Sequence, residues 1–132
     1  AHVRPTFAGM YDAGGILVRQ DEEHWAKLCF ESTNFGTTAA ISVVTRGLSD
    51  DANGVDLAVP DLWLQVCRAG DSFGMQYAPD GKNWRKVRRF HLPLPPTVRV
   101  GLLTQSPREA GTTVDFLWFS VESRTADTRT GV

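Results

Sequence analysis

The sequence predicts an all-β domain, an antiparallel sandwich or barrel of about eight short strands, and three observations carry that reading. Two matched segments, Trp25-Ala-Lys-Leu-Cys-Phe-Glu31 and Trp63-Leu-Gln-Val-Cys-Arg68, each open with Trp, reach Cys four residues later and alternate large apolar with polar positions. Side chains alternate between the two faces of a strand. Leu28 and Phe30 therefore share one face, as do Leu64 and Val66, while Trp25, Lys27, Cys29 and Glu31 share the other, as do Trp63, Gln65 and Cys67. The second observation is Pro79-Asp-Gly-Lys82, where Pro presets the first turn dihedral and Asp-Gly tolerates positive φ. The third is the spacing of the remaining turn signals, which suits a sandwich or barrel, with no convincing amphipathic helix between them.

In chain order, Gly14-Gly15 opens a strand over Ile16-Leu-Val-Arg-Gln20, and Asp21-Glu-Glu-His24 connects it to the first Trp strand. Asn34-Phe-Gly-Thr-Thr38 reads as a turn, and Ala40-Ile-Ser-Val-Val-Thr45 as a β-branched strand. Residues 48–60, rich in Asp, Gly and Asn, are expected to form a loop. The second Trp strand follows, then the Ala69-Gly-Asp71 turn and a strand over Phe73–Ala78. The Pro79 turn leads into Trp84-Arg-Lys-Val-Arg-Arg-Phe90. Leu92-Pro-Leu-Pro-Pro96 interrupts regular structure. Val98–Leu103 and Val114–Val121 are the last predicted strands. The reading gives one domain over residues 1–122 and a polar tail over 123–132, expected to fray.

At 132 residues and 42% hydrophobic composition the chain fits a single globular domain. A net charge of -1 argues against a dedicated nucleic-acid binder. No apolar run approaches the ~20 residues that cross a bilayer, so no membrane partner is expected. His2, Arg4 and Pro5 stand where a signal peptide would begin its apolar core. The two cysteines lie on different predicted strands, and their spacing neither demands nor forbids a disulfide. Two free thiols in a cytoplasmic chain is the simpler expectation.

The polar faces of the Trp strands suggest a ligand surface. Aromatic rings stack on the apolar faces of sugars, while carboxylates, amides and cations hydrogen-bond the hydroxyls. Arg19, Trp25, Lys27, Glu31, Trp63 and Gln65 supply that chemistry if all point one way. Against it stands the reading in which both tryptophans pack under a loop and Lys27 pairs with Glu31. No metal site is expected: Asp50-Asp-Ala-Asn-Gly-Val-Asp56 lacks calcium-loop spacing, the histidines are scattered, and the cysteines form no C-x-x-C pair. No nucleophile elbow, phosphate-cradling loop or dinucleotide fingerprint is present, so neither cofactor nor catalytic residue is assigned. The basic stretch Lys82–His91 is divided by alternation between two faces and reads as a solvated edge strand.

Several runs together resemble a known family. They are Tyr11-Asp-Ala-Gly-Gly-Ile-Leu-Val-Arg19, Asp21-Glu22, Trp25-Ala-Lys27 with Glu31, Val43-Val-Thr45 before Ser49-Asp50, Trp63-Leu-Gln65, Gln76-Tyr77, Asp80-Gly-Lys-Asn-Trp84, and Val98-Arg-Val-Gly-Leu102 before Ser106-Pro107. In this order, over roughly residues 3–122, they are similar to domain-of-unknown-function family 1349, the yeast regulator-of-enolase-like group. The resemblance implies the jelly-roll sandwich of the concanavalin A-like lectins and glucanases. Two departures stand out: Asp51 replaces a Trp usual after Ser49-Asp50, and a Trp- and Gly-rich segment that the family carries before Tyr11-Asp12 is missing. The expectation is a sandwich lacking the family's N-terminal strands. Either the chain is a fragment, or another segment or a second subunit covers the edge left by those strands, so self-association is one expectation. Related glucanases carry a Glu-x-Asp-x-x-Glu strand, and this sequence has none, although glycoside hydrolysis needs two carboxylates roughly 5–10 Å apart. The resemblance thus implies a non-catalytic, lectin-like domain holding a carbohydrate or sugar-derived metabolite on its concave face. The alternatives are a protein-interaction or regulatory module of sugar metabolism, and an enzyme using the same cleft for other chemistry.

Overall fold

In the computed structural model, which describes residues 1–124 and 126–132, ten strands follow one another. They are β1 His2–Thr6, β2 Ala13–Arg19, β3 His24–Ser32, β4 Thr38–Arg46, β5 Leu48–Asp56, β6 Leu62–Ala69, β7 Ser72–Ala78, β8 Arg85–His91, β9 Arg99–Gln105 and β10 Thr113–Trp118. They pair antiparallel into two five-stranded sheets, the first in the order β10-β1-β6-β7-β8 and the second β5-β4-β3-β2-β9. The protein is an all-β sandwich, as its alternation predicts, with open edges rather than a closed barrel.

The core lies between the sheets. Ile16, Val18, Leu28, Phe30 and Val44 of the second sheet face Val3, Leu62, Leu64, Phe73 and Met75 of the first. Phe30 is fully buried and meets Phe7 edge-on at 5.4 Å. Burying a side chain of that size contributes about 3 kcal/mol.

Two strands escape the sequence reading. β5 runs through the segment expected to be a loop, pairing along β4 from Arg46↔Leu48 to Ala39↔Asp56 with one register shift. It is an exposed edge strand held by main-chain bonding to β4, so its side chains carry no apolar alternation. β1 is only five residues long but sits between β10 and β6, with Val3 completely buried. The tail also departs from expectation. Thr128 is 5% exposed, because the segment lies against β6 and β7 instead of fraying.

The loops at one end of the sandwich converge on Asp12. Its buried carboxylate accepts hydrogen bonds from the Ala8 and Gly9 N–H groups at 2.8 and 2.6 Å, from Ser106 Oγ at 2.8 Å, and from Thr112 Oγ1. Burial opposes its charge, yet the bonds from Thr112, Ser106, Gly9 and Ala8 outweigh that and hold the carboxyl down to about 2. The neighbouring Tyr11 adopts φ 67°, the left-handed region that non-glycine residues seldom occupy.

Candidate functional site

The register of the second sheet fixes which side chains share its outer face. Across β9, β2 and β3, Arg99, Arg19 and Trp25 form one row, and Gly101, Leu17 and Lys27 the next. Leu103, Gly15 and Cys29 follow, and then Gln105, Ala13 and Glu31. The floor is small and apolar: Ala13, Cys29 and Ala39 are completely buried, and Ile41 is 4% exposed. Gly15 is required there, because a Cβ would stand 2.1 Å from the Leu28 carbonyl oxygen.

Over this floor three polar side chains from two strands form a chain. Lys27 Nζ donates to Gln105 Oε1 at 2.6 Å, and Gln105 Nε2 donates to Glu31 Oε2 at 3.2 Å and to the Tyr11 carbonyl oxygen at 2.8 Å. Glutamine thus stands between the lysine and the glutamate that the sequence reading paired directly. Burial raises the Glu31 carboxyl, Lys27 pulls it back down, and Asp51 on β5 raises it further. Burial pushes the Cys29 thiol up to about 12, which leaves it a packing group in the floor. At the other end Trp25 Nε1 donates to the Glu22 carbonyl at 3.1 Å, and Arg19 Nε to the Asp21 carbonyl at 3.1 Å. The face therefore offers an aromatic ring, an ammonium donor and a carboxylate along one strand.

Trp63 and Gln65 are elsewhere. They project from the outer face of the first sheet, on the far side of the core, because β6 pairs with β1 and β7. The expectation that all six residues share one surface is thereby corrected: Arg19, Trp25, Lys27 and Glu31 are brought together, and Trp63 and Gln65 are separated from them. Alternation assigns a residue to a face of its strand but not the strand to a sheet. Trp63 stacks on His2 at 4.3 Å, lies 5.6 Å from Trp118, and closes against Gly81 of the Pro79 turn, where a Cβ would come within 2.9 Å. Gln65 Nε2 donates to the Gly131 carbonyl at 2.5 Å. Both residues are also among those lining a cleft of about 480 Å³, together with Val100, Trp118 and Phe119.

Gln105 is the site residue that the sequence reading missed. The predicted strand stopped at Leu103, and two more residues of the same alternation would have placed Gln105 beside Ala13 and Glu31. Among the described residues no group of three or more His, Cys, Asp or Glu side chains is placed to hold a metal ion. Nor is any described helix long and apolar enough to cross a membrane.

The fold is an all-β sandwich of two antiparallel sheets, with a polar chain of side chains over a small apolar floor on the outer face of the second. Residues 1–124 match the family described as protein of unknown function (DUF1349), and the chain belongs to that family. It is similar to the Saccharomyces cerevisiae protein called Regulation of enolase protein 1, with 32% identity over 120 residues, covering 90% of this chain and 60% of the relative. A crystal structure of a functionally unknown protein from Saccharomyces cerevisiae superposes with a TM-score of 0.79 at 31% identity, covering 86% of this chain and 61% of that one. The chain spans about three fifths of the length of each.

Proposed function

We propose that this domain is a non-catalytic binding module whose ligand is a carbohydrate or sugar-derived metabolite, held on the outer face of the second sheet. The observation that carries the reading is the Lys27–Gln105–Glu31 chain over its small apolar floor. Lys27 donates to a ligand hydroxyl and Glu31 accepts from one, while Gln105 sets their separation. Trp25 supplies a ring for the apolar face of a sugar, and Arg19 a second cation. Trp63 and Gln65 take no part, being occupied by His2, Trp118 and the tail. The two free cysteines suit a reducing compartment, which supports a cytoplasmic location.

The test is a screen of neutral and phosphorylated sugars read by tryptophan fluorescence, with Lys27→Ala and Trp25→Ala as controls. Saturable binding lost in both variants supports the reading. Binding that survives both variants, or no binding at all, refutes it.

A second reading, a regulatory module that works through a protein partner, draws support from the name of the yeast relative. Titration of the same chain with purified enolase, followed by light scattering, separates the two: a complex whose formation is indifferent to Lys27→Ala favours the regulatory reading.

A further inference from the structure

The outer face of the first sheet is occupied by a segment of the chain itself. Residues 126–132 fold back as a tight turn, in which the Gly131 N–H donates to the Asp127 carbonyl at 2.7 Å and the Arg129 N–H to Asp127 Oδ1 at 2.7 Å. The sheet reads this turn through two main-chain carbonyls and one threonine hydroxyl. Gln65 Nε2 donates to the Gly131 carbonyl at 2.5 Å, and Gln76 Nε2 to the Thr128 carbonyl at 3.4 Å. Arg89 Nε donates to Thr128 Oγ1 at 3.1 Å.

The fit depends on a glycine on each side. A Cβ on Gly74 would lie 2.0 Å from the Thr128 carbonyl oxygen. One on Gly131, which has φ 79°, would lie 2.3 Å from Gln65 Nε2 and 2.9 Å from the Gln76 side chain. A left-handed glycine in the turn and a bare strand position beneath it therefore form a shape-specific pair.

We propose that this face is a receptor groove for a polar, glycine-containing peptide turn, and that residues 126–132 occupy it reversibly as its resident ligand. With the segment docked, Gln76 is 1% exposed and Gly74 is buried within β7. The occupant brings few apolar side chains. Its only aliphatic side chains beyond the β-carbon of threonine are Ala126 and Val132, and Val132 is 69% exposed. Hydrogen bonds hold it, with little apolar side-chain surface to add, although Thr128 and Gly131 are themselves buried against the sheet. When the turn leaves, three donors converge on an empty groove and favour a second peptide carbonyl in its place. The segment also lies outside the residues that match the family, which end at 124. The groove is on the opposite side of the sandwich from Lys27 and Glu31, so this inference is independent of the sugar-binding reading.

The experiment uses the full chain with Gly131→Ala, which undocks the tail, and follows the side-chain amide resonances of Gln65 and Gln76 by NMR. Both should move away from their wild-type positions. Adding a free heptapeptide of the sequence of residues 126–132 should return them saturably, and the same peptide with alanine in place of its glycine should not. Gly74→Ala, on the receptor side, should also displace the tail but abolish the peptide's effect. Against the wild-type chain the peptide competes with a tethered copy and should bind at least about tenfold more weakly. Unmoved resonances in Gly131→Ala, no return on adding peptide, or equal peptide binding to the Gly131→Ala and Gly74→Ala chains would each overturn the proposal.

Discussion

Lys27 and Gln105 lie 78 residues apart in the chain and meet at 2.6 Å on the outer face of the second sheet, with β2 between their strands. The long side chains reach across that middle strand because its facing residues, Ala13 and Gly15, are small. Removing the bridge leaves Lys27 without this acceptor and Glu31 without this donor. Gln105→Ala should cost about 1–2 kcal/mol in urea unfolding. It should also weaken ligand binding further than the stability loss explains. Unchanged stability and binding would show that Gln105 merely covers the face.

Glu31 carries the pH signature of the site. Burial raises its carboxyl in the folded protein, Lys27 opposes the shift, and Asp51 adds to it. The unfolded value is about 4.3. Stability from its protonation is then fully present below the unfolded value and is lost as pH rises through the raised folded value. Glu31→Gln should flatten this part of the stability profile, measured by urea unfolding at successive pH values between 4 and 7 (roughly the window above the unfolded value). A profile of the same slope in both proteins would show that Glu31 does not titrate in this way.

The two thiols should differ sharply in reactivity. Cys29 is completely buried and its thiol is pushed up to about 12 by burial, whereas Cys67 is half-buried beneath the tail. Iodoacetamide at pH 8 (about the thiol range) should modify Cys67 in the native protein and spare Cys29 until denaturant is added. Mass mapping that finds equal rates would mean that the floor of the second sheet opens to solvent.

Asp12 should be a stability residue. Asp12→Ala removes the acceptor shared by Ala8, Gly9, Ser106 and Thr112, and should cost about 3 kcal/mol in thermal or urea unfolding. The folded carboxyl is held at about 2, below the unfolded value. Its contribution is therefore present above about pH 4, the unfolded range, and disappears as pH falls through the folded value. The wild type and Asp12→Ala should converge in stability on acidification. A gap that persists unchanged at low pH would count against the hydrogen-bonded carboxylate as its source.

The tryptophans divide in the same manner. Trp63 is clamped between His2, Trp118 and Gly81, so Trp63→Ala should cost about 3 kcal/mol of stability. Trp25 packs beside a surface loop through one indole bond, so Trp25→Ala should cost about 1 kcal/mol and act mainly on binding. Parallel unfolding curves of the two variants decide the matter.

Much of the sandwich is legible in single strands. The alternation that sends Leu28, Phe30 and Leu64 inward, the Pro79-Asp-Gly-Lys82 turn, and the facing set Trp25, Lys27 and Glu31 all stand as read. β5 is not legible, because an exposed edge strand is held by its main chain and has no apolar face to show in composition. The docked tail is equally silent. Its contacts are to backbone carbonyls, to glycines and to the Thr128 hydroxyl, which no hydrophobic pattern reports.

What the sequence determined by itself is the inward and outward face of each strand, since pleating turns alternate side chains apart within a single segment. Only the tertiary structure decided which strands became neighbours. That choice places Lys27 beside Gln105 and sends Trp63 to the opposite surface, because strand pairing is a relation between distant segments and depends on backbone carbonyls that every residue offers and N–H groups that every residue but proline offers.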